Sequence, residues 1–426
     1  MRFLSISFMI ELRDYQMEIA QKACATLLNL QIVYLAMEVR TGKTLTALAT
    51  AEMFGAKRVL FVTKLKAVPS IQDDYAKSGV TFYMDVTNYE RLQNCSNDYD
   101  LFIVDEAHTI GAFPKPSQRT KHLKDLVGSK PLILLSGTPT PESYSQIFFQ
   151  FWISENSPFK ELCGCSTLSF YKFAKIFCDV KERKINGYIV RDYSDAREEE
   201  VKAVIDGYMI SYTQQEAGFE VKINEHVLEC QSLPETESIF KKLKKERCIN
   251  DMYSGLQVLA DTPANLLNKL NQISGGTVID VNDVPRILDP FKAKTIAEKF
   301  KGQRIAIFYV YQSEKSLLLE YFKDEVTTVP EDFQNGKSRV FIGQVRSVRE
   351  GVRLDKADAI IYYSMEFSYL SYEQGRNRLI SKEREKPANV WFAVSQMGLE
   401  SKVLEAVHDK KDFTLSYYNR HQNLRD

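Results

Sequence analysis

Residues 37–44, MEVRTGKT, end in Gly42-Lys43-Thr44, the residue types that a loop gripping nucleotide phosphates needs. The glycine lets backbone N–H groups turn toward phosphate oxygens, the lysine reaches the β- and γ-phosphates, and the threonine hydroxyl can ligate Mg2+. The glycine expected at the start of such a loop is Met37, and Arg40 stands where extra flexibility would help, so the surroundings must decide. A buried strand precedes the tripeptide and a helix follows it, which is the setting a phosphate loop requires. A second signal follows about 60 residues on. Asp100-Leu-Phe-Ile-Val104 reads as a buried strand ending in Asp105-Glu106-Ala107-His108. A carboxylate at the end of a neighbouring parallel strand points into the crevice beside the phosphate loop. Asp105 is expected to hold Mg2+ through water with Thr44 as the other metal-side residue, and Glu106 to polarise the attacking water as general base. A third turn, Leu135-Ser136-Gly137-Thr138-Pro139-Thr140, can sense the phosphate state and pass it on, with His108, Ser136 and Thr138 as the coupling residues. The implied cofactors are ATP and Mg2+, the nucleotide being held by Arg40, Thr41, Gly42, Lys43 and Thr44.

The elements that must position these residues alternate along the first 150 residues. Helical periodicity runs over 16–30, then the strand Ile32–Ala36, the helix Leu45–Phe54, the strand Arg58–Thr63, a helix near Ile71–Lys77, and the strands Tyr99–Val104 and Leu132–Leu135. Strands separated by helices imply a parallel sheet with right-handed crossovers. Residues 141–280 read as a mostly helical insertion, with helices over Ser145–Ser154, Glu198–Tyr208 and Glu235–Glu246 and a hairpin turning at Asn186-Gly187. Alternation returns near 285, with helices Lys292–Phe300, Ser313–Phe322 and Leu399–Val407 and strands Arg304–Tyr309, Arg339–Gly343, Ala359–Tyr363 and Val390–Val394. The expected fold is α/β, two parallel-sheet lobes with a mostly helical insertion between them: 1–150, 151–284 and 285–426.

The bulk numbers bound the class. The 426 residues suffice for two or three domains, and 44% hydrophobic and 26% charged content is ordinary for a soluble globular chain. No apolar run approaches the roughly 18–20 residues needed to span a bilayer. The opening MRFLSISFMI lacks a small-residue cleavage site and reads as a first strand, or as an upstream extension with Met9 as the true start. Seven cysteines form no C-x-x-C pair, which fits reduced thiols in a cytoplasmic protein. Lysine plus arginine and aspartate plus glutamate both number 56, so a protein that coats nucleic acid through bulk positive field is excluded while a local basic groove is not.

GKT, DEAH and SGTPTPES, in this order, resemble motifs I, II and III of superfamily 2 helicases. Leu12-Arg13-Asp14-Tyr15-Gln16 resembles the motif whose Gln reads adenine. Val86-Thr87-Asn88-Tyr89-Glu90 resembles the "TxYE" segment of the Swi/Snf-type branch, the chromatin-remodeller-like DNA translocases. Phe148–Ile153, Tyr208–Thr213, Lys294 with Ile305–Tyr309, and Gly398–Lys402 resemble further segments of that branch, so the resemblance spans roughly residues 12–412. It departs from the pattern at Met37 and Arg40, and again in motif VI. There Tyr372-Glu-Gln374-Gly-Arg376-Asn-Arg378 spaces the two arginines two apart instead of three. On a helix such residues point about 200° apart, so both cannot face one phosphate unless the segment bends.

The resemblance implies two RecA-like lobes closing on ATP, with Gln16 on the adenine and Gln374 and Gly351 also at the nucleotide. It implies an arginine finger, either Arg376 or Arg378, supplied across the lobe interface to the transferring γ-phosphate. It further implies phosphate-backbone contacts from Thr63, Lys64, Ser347 and Arg349. Basic runs at Lys181–Lys184 and Lys241–Lys245 could widen that track or be solvated faces. The implied function is a DNA-dependent ATPase translocating on duplex DNA, remodelling forks, branched DNA or protein–DNA complexes. The implied protein is a monomer without a membrane partner, of compact phage or bacterial type like the phage branch-migration helicases, working in the cytoplasm (the host's if viral). A strand-separating helicase on single strands or RNA, and a non-catalytic nucleic-acid clamp, stay open as alternatives.

Overall fold

The computed structural model describes residues 11–162, 169–185, 188–218, 222–251, 253–348, 352, 354–379, 384 and 386–408. The chain divides into two compact units, residues 1–219 and 220–426.

The first unit is built on a six-stranded sheet. Strands β1 (Ile32–Met37), β2 (Arg58–Thr63), β3 (Tyr83–Asn88), β4 (Leu101–Val104) and β5 (Leu132–Leu135) are joined by a strand over Met209–Tyr212. The order is β3-β2-β4-β5-β1 followed by Met209–Tyr212, and every neighbouring pair is parallel. Such strands are covered on both faces and read as continuous apolar runs. Val33, Leu35, Phe61, Ile103, Ile133 and Leu135 pack with Ala23, Leu27, Ala47 and Leu48 from helices α1 (Asp14–Leu30) and α2 (Lys43–Phe54). Their alternate neighbours Tyr34, Leu60, Val62, Phe102 and Leu134 pack on the other face with Phe148, Phe151, Phe159 and Phe173. Phe148 sits within 4.9–6.0 Å, centroid to centroid, of Phe149, Phe159, Phe170 and Phe173. The aromatic richness of the sequence is therefore spent on a core, each such side chain contributing about 1.5–3 kcal/mol.

The second unit repeats the architecture. Its sheet runs Val326–Thr327, Val340–Gln344, Ile305–Tyr309, Ala359–Tyr362, Ala388–Ser395 and Ile223–Cys230, again parallel throughout. The α/β expectation with two parallel sheets holds. Residues 151–284 are shared between the units, giving Met209–Tyr212 to the first sheet and Ile223–Cys230 to the second. They also form two antiparallel pairs, Lys181–Ile185 with Tyr188–Asp192 and Cys248–Asp251 with Leu256–Leu259. The turn between the first pair, Asn186-Gly187, lies outside the described residues, as do the first ten residues.

Lys294, the lysine matched to the family's segment before Ile305–Tyr309, is exposed; the lysine that matters for the fold is Lys292, two places earlier. Its Nζ is fully buried, 2.7 Å from Glu400 Oε1 and 2.9 Å from Tyr363 O, and Ser395 Oγ donates to Glu400 Oε2 at 2.7 Å. The pair ties helix Phe291–Lys299 to helix Leu399–His408. Removing one partner strands a buried charge, whereas an apolar side chain of similar length does less harm. Lys292→Ala is expected to cost about 3–5 kcal/mol of stability in chemical denaturation, and Lys292→Met in a Glu400→Gln background well under half of that.

Candidate active site

The sheet of the first unit brings its functional residues to one edge. The loops after β1, β2, β4 and β5 all leave from the carboxyl ends of parallel strands, where ligand crevices form in open α/β sheets. After β1 the chain turns through residues 38–42 into α2. Arg40 adopts φ 65° and Gly42 φ 85°, both left-handed. Only glycine is at ease there; Arg40 costs about 1–2 kcal/mol of backbone strain. A Cβ on Gly42 would stand 2.1 Å from Gln16 Nε2 and displace that amide from Gly42 O, and at φ 85° any residue but glycine is strained. Arg40→Gly is expected to remove that backbone strain while keeping the loop N–H groups, so any loss of nucleotide affinity in calorimetry measures what the Arg40 side chain itself contributes.

Several partners hold this loop. Lys43 Nζ donates to Met37 O at 2.8 Å and Glu38 O at 3.2 Å, and Gly137 packs against it. Thr41, fully buried, donates its hydroxyl to Glu38 O at 2.7 Å, and Tyr15 OH donates to Thr41 O at 3.0 Å. Gln16 is buried; its amide donates to Gly42 O at 3.2 Å and its carbonyl accepts from Arg13 N at 2.9 Å. The glutamine thus buttresses the phosphate loop directly. Thr44 is half-buried in the first turn of α2.

At the end of β4 the two carboxylates take different environments. Asp105 is half-buried, and Thr63 Oγ1 donates to its Oδ2 at 2.7 Å. Burial, then the like charge of Glu106, pushes its pKa up from 3.8 to about 6, against the hydrogen bond from Thr63 and the charge of Lys43. Glu106 adopts φ 52°, a strained conformation of the kind that gathers at functional sites. His108 Nδ1 stands 3.4 Å from Glu106 Oε2 and 2.9 Å from Ser136 Oγ, and Ser136 Oγ accepts from Thr138 N at 3.0 Å. The expected coupling residues are therefore one continuous chain from Glu106 to the turn after β5. Tyr89, from the segment matched to "TxYE", donates its hydroxyl to Asp105 O.

Thr63 was expected at a nucleic-acid backbone. Its hydroxyl is instead fully buried and spent on Asp105, because β2 and β4 are neighbours in the sheet. Lys64, the next residue, is half-buried. Sequence spacing gave no sign of the Thr63–Asp105 pair, which only strand order creates. Since a proton stays on Asp105 in the folded state up to about pH 6 but leaves near 3.8 when unfolded, this group favours the fold at low pH and loses that contribution as pH rises through 6. Asp105→Asn is expected to raise stability at pH 7.5 by as much as about 3 kcal/mol, with the advantage gone at pH 4, while abolishing hydrolysis. Denaturation of both proteins at the two pH values checks it.

In the second unit, helix Tyr369–Arg376 ends in Arg376, and residues 377–379 tighten into a 3-10 turn. The helix lies close on its sheet because residue 375 is glycine: a Cβ there would meet Tyr362 Oη at 2.3 Å. Arg376 donates to Glu225 Oε1 at 3.1 Å and Glu373 Oε1 at 3.0 Å, and its guanidinium sits 5.3 Å from the Tyr372 ring. Burial works against its charge, but Glu373, Tyr372 and Glu225 outweigh that and hold its pKa above the ordinary value. His408 Nε2 adds a contact to Glu225 Oε2 at 3.1 Å. Arg378 Nε donates to Gln374 O at 3.1 Å. Gln374 is buried. Ser347 is exposed on the short helix Val345–Val348, while Arg349 and Gly351 lie outside the described residues.

The residues fit the implied groups. Lys43, the left-handed Gly42 and the first turn of the twelve-residue α2 are groups that could hold phosphate oxygens. Desolvation raises the pKa of Asp105 first and the like charge of Glu106 second, and it is that second contribution that a divalent cation would offset. Among the described residues no group of three or more His, Cys, Asp or Glu could hold a metal alone, which suits an ion that keeps waters and phosphate oxygens as ligands. No helix among the described residues is long and apolar enough to cross a membrane.

No protein-family model matches the chain, and no curated protein matches it. Solved structures do. The Sulfolobus solfataricus SWI2/SNF2 ATPase core in complex with dsDNA is 16% identical, with 96% of this chain and 93% of that chain covered and a TM-score of 0.44. The Sulfolobus solfataricus SWI2/SNF2 ATPase core domain is 17% identical over 96% and 91%, with a TM-score of 0.41.

Proposed function

We propose that this chain is a nucleic-acid-stimulated ATPase of superfamily 2, of the Swi/Snf type, that moves along duplex DNA. The observation that carries the reading is the convergence at one sheet edge of Lys43, Asp105 and the Glu106–His108–Ser136 chain. Lys43 leaves the carbonyls of Met37 and Glu38 for the β- and γ-phosphates of ATP. Thr44 and Asp105 hold Mg2+, which supplies positive charge against the phosphate oxygens. Glu106 takes the proton of the attacking water. His108 and Ser136 register whether Glu106 faces a γ-phosphate and pass its loss to Thr138. Gln16 places the adenine side of the loop through Gly42. Arg378 supplies the positive charge that stabilises the transferring phosphoryl group, and Arg376 fixes its helix.

Duplex DNA as the track rests on the motif order in the sequence; the structure of Sulfolobus core carrying dsDNA is that protein's own. Lys64, Ser347 and Arg349 are the positions assigned to backbone contact, and Gly351 is assigned to the nucleotide. ATP hydrolysis measured with duplex DNA, single-stranded DNA and RNA as separate activators tests the track. Displacement of a third strand from a DNA triplex by the parent, and none by Lys43→Ala, is the expected result for translocation. Activation by RNA alone overturns the duplex reading.

A further inference from the structure

Glu38 and Gln214 take no part in the chemistry above, yet they fasten the phosphate loop to a stretch of chain far along the sequence. Glu38 N donates to Tyr212 O at 2.9 Å. Gln214 N donates to Glu38 Oε2 at 2.7 Å, and Gln214 Nε2 donates to Val39 O at 2.8 Å. Three hydrogen bonds therefore join residues 38 and 39 to residues 212 and 214, and Tyr15, which braces Thr41, stacks on Tyr212 with ring centroids 4.7 Å apart.

The chain beyond Tyr212 is a closed turn. Thr213 N and Oγ1 each donate to Glu216 Oε2 at 2.7 Å, Glu216 N donates to Thr213 Oγ1 at 3.2 Å, and Tyr212 OH donates to Glu216 O at 2.9 Å. Those bonds from Thr213 hold the Glu216 carboxyl below its usual range. Ala217 N and Gly218 N close the turn on Thr213 O and Gln215 O, and Gly218 adopts φ 76° one residue before the first unit ends. The loop that grips phosphate and the segment where the chain passes to the second unit are thus one hydrogen-bonded body.

Lys43 caps the carbonyls of Met37 and Glu38 on the same loop. When its Nζ turns to a phosphate, those two peptides lose their donor, and the bonds from residues 212–214 become what fixes them. We propose that Gln214 is a positioning residue: with Glu38 it sets the phosphate loop for nucleotide and carries the loop's change on nucleotide binding into the 213–218 turn. The inference rests on the proposed function, since it needs a nucleotide at Lys43.

The test uses the full chain with Gln214→Ala, which removes the donor to Val39 O, and Gln214→Glu, which aims an acceptor at it beside Glu38. ADP affinity with Mg2+ is measured by calorimetry. Backbone hydrogen exchange over 213–218 is measured with and without saturating AMP-PNP. ADP binding is expected to weaken about 3- to 10-fold in Gln214→Ala, the size of one part-buried hydrogen bond, and further in Gln214→Glu. The parent is expected to slow exchange over 213–218 when AMP-PNP binds, and both variants to lose that slowing at saturation, at a temperature where each is fully folded. A merely structural role would lower the melting temperature and speed exchange in both states, leaving the nucleotide-dependent difference intact; that result overturns the inference. So does a parent that binds ADP without any change over 213–218. A parent that binds no nucleotide overturns the proposed function itself, and this inference with it.

Discussion

Arg378→Ala is expected to lower the DNA-stimulated turnover of ATP by about a thousand-fold or more at temperatures where the variant is fully folded. Arg376→Ala is expected to do something different. Its guanidinium bridges Glu225 and Glu373 and covers the Tyr372 ring, and its side chain is only 29% exposed. Removing it leaves two half-buried carboxylates without their common cation, an effect of about 2–3 kcal/mol on stability. Turnover should then fall in proportion to the folded fraction, and cooling should restore much of it. Steady-state ATPase rates beside thermal melts, for both variants, separate the two roles. A thousand-fold loss in Arg376→Ala at full stability would reverse the assignment.

Glu106→Gln is the second large effect. The amide keeps the shape of the side chain, and can still meet His108, but cannot take a proton from water. A loss of about 10²–10⁴-fold in turnover is expected, with ATP affinity held within a few-fold. Lys43→Ala should instead lose affinity, because Lys43 faces phosphate in the ground state as well as in the transition state. His108→Ala is the informative companion. It cuts the link from Glu106 to Ser136 without removing the base, so hydrolysis should persist while its stimulation by DNA falls. Rates with and without saturating DNA, in all three variants, read these differences.

How much of this was legible in the sequence depends on distance along the chain. The strand–GKT–helix and strand–DEAH junctions are local, and the structure places both where the apolar runs and turn residues indicated. Arg58–Thr63 and Leu132–Leu135 fall on the same residues as read, because fully buried parallel strands are continuous apolar runs with sharp ends. What the sequence concealed was long-range. Thr63 meets Asp105 only because β2 and β4 are neighbours, and no spacing encodes that. Gln214 reaches Val39 because Met209–Tyr212 pairs with β1. Glu225 pairs with Arg376, yet it lies on Ile223–Cys230, an edge strand whose polar alternation hid it inside an expected helical region. The helix Pro263–Ser274 escaped for a related reason: its asparagines and lysine dilute the 3.6-residue pattern, although Thr262 caps it and Pro263 opens it.

The edge strand Ile223–Cys230 has a bearing on how the protein is made. It pairs along its whole length with Ala388–Ser395, which is translated last among the strands. The first sheet, by contrast, closes once Met209–Tyr212 has emerged. During synthesis at about 5–20 residues per second, the first unit can complete itself while the second waits about 10–40 s for its final strand. Through that interval Ile223–Cys230 offers an unsatisfied backbone edge, a template for pairing with other nascent chains. A ribosome stalled between the two strands would therefore leave a polypeptide with a finished first unit and an aggregation-prone tail, and expression yield should drop sharply for truncations ending before Ala388.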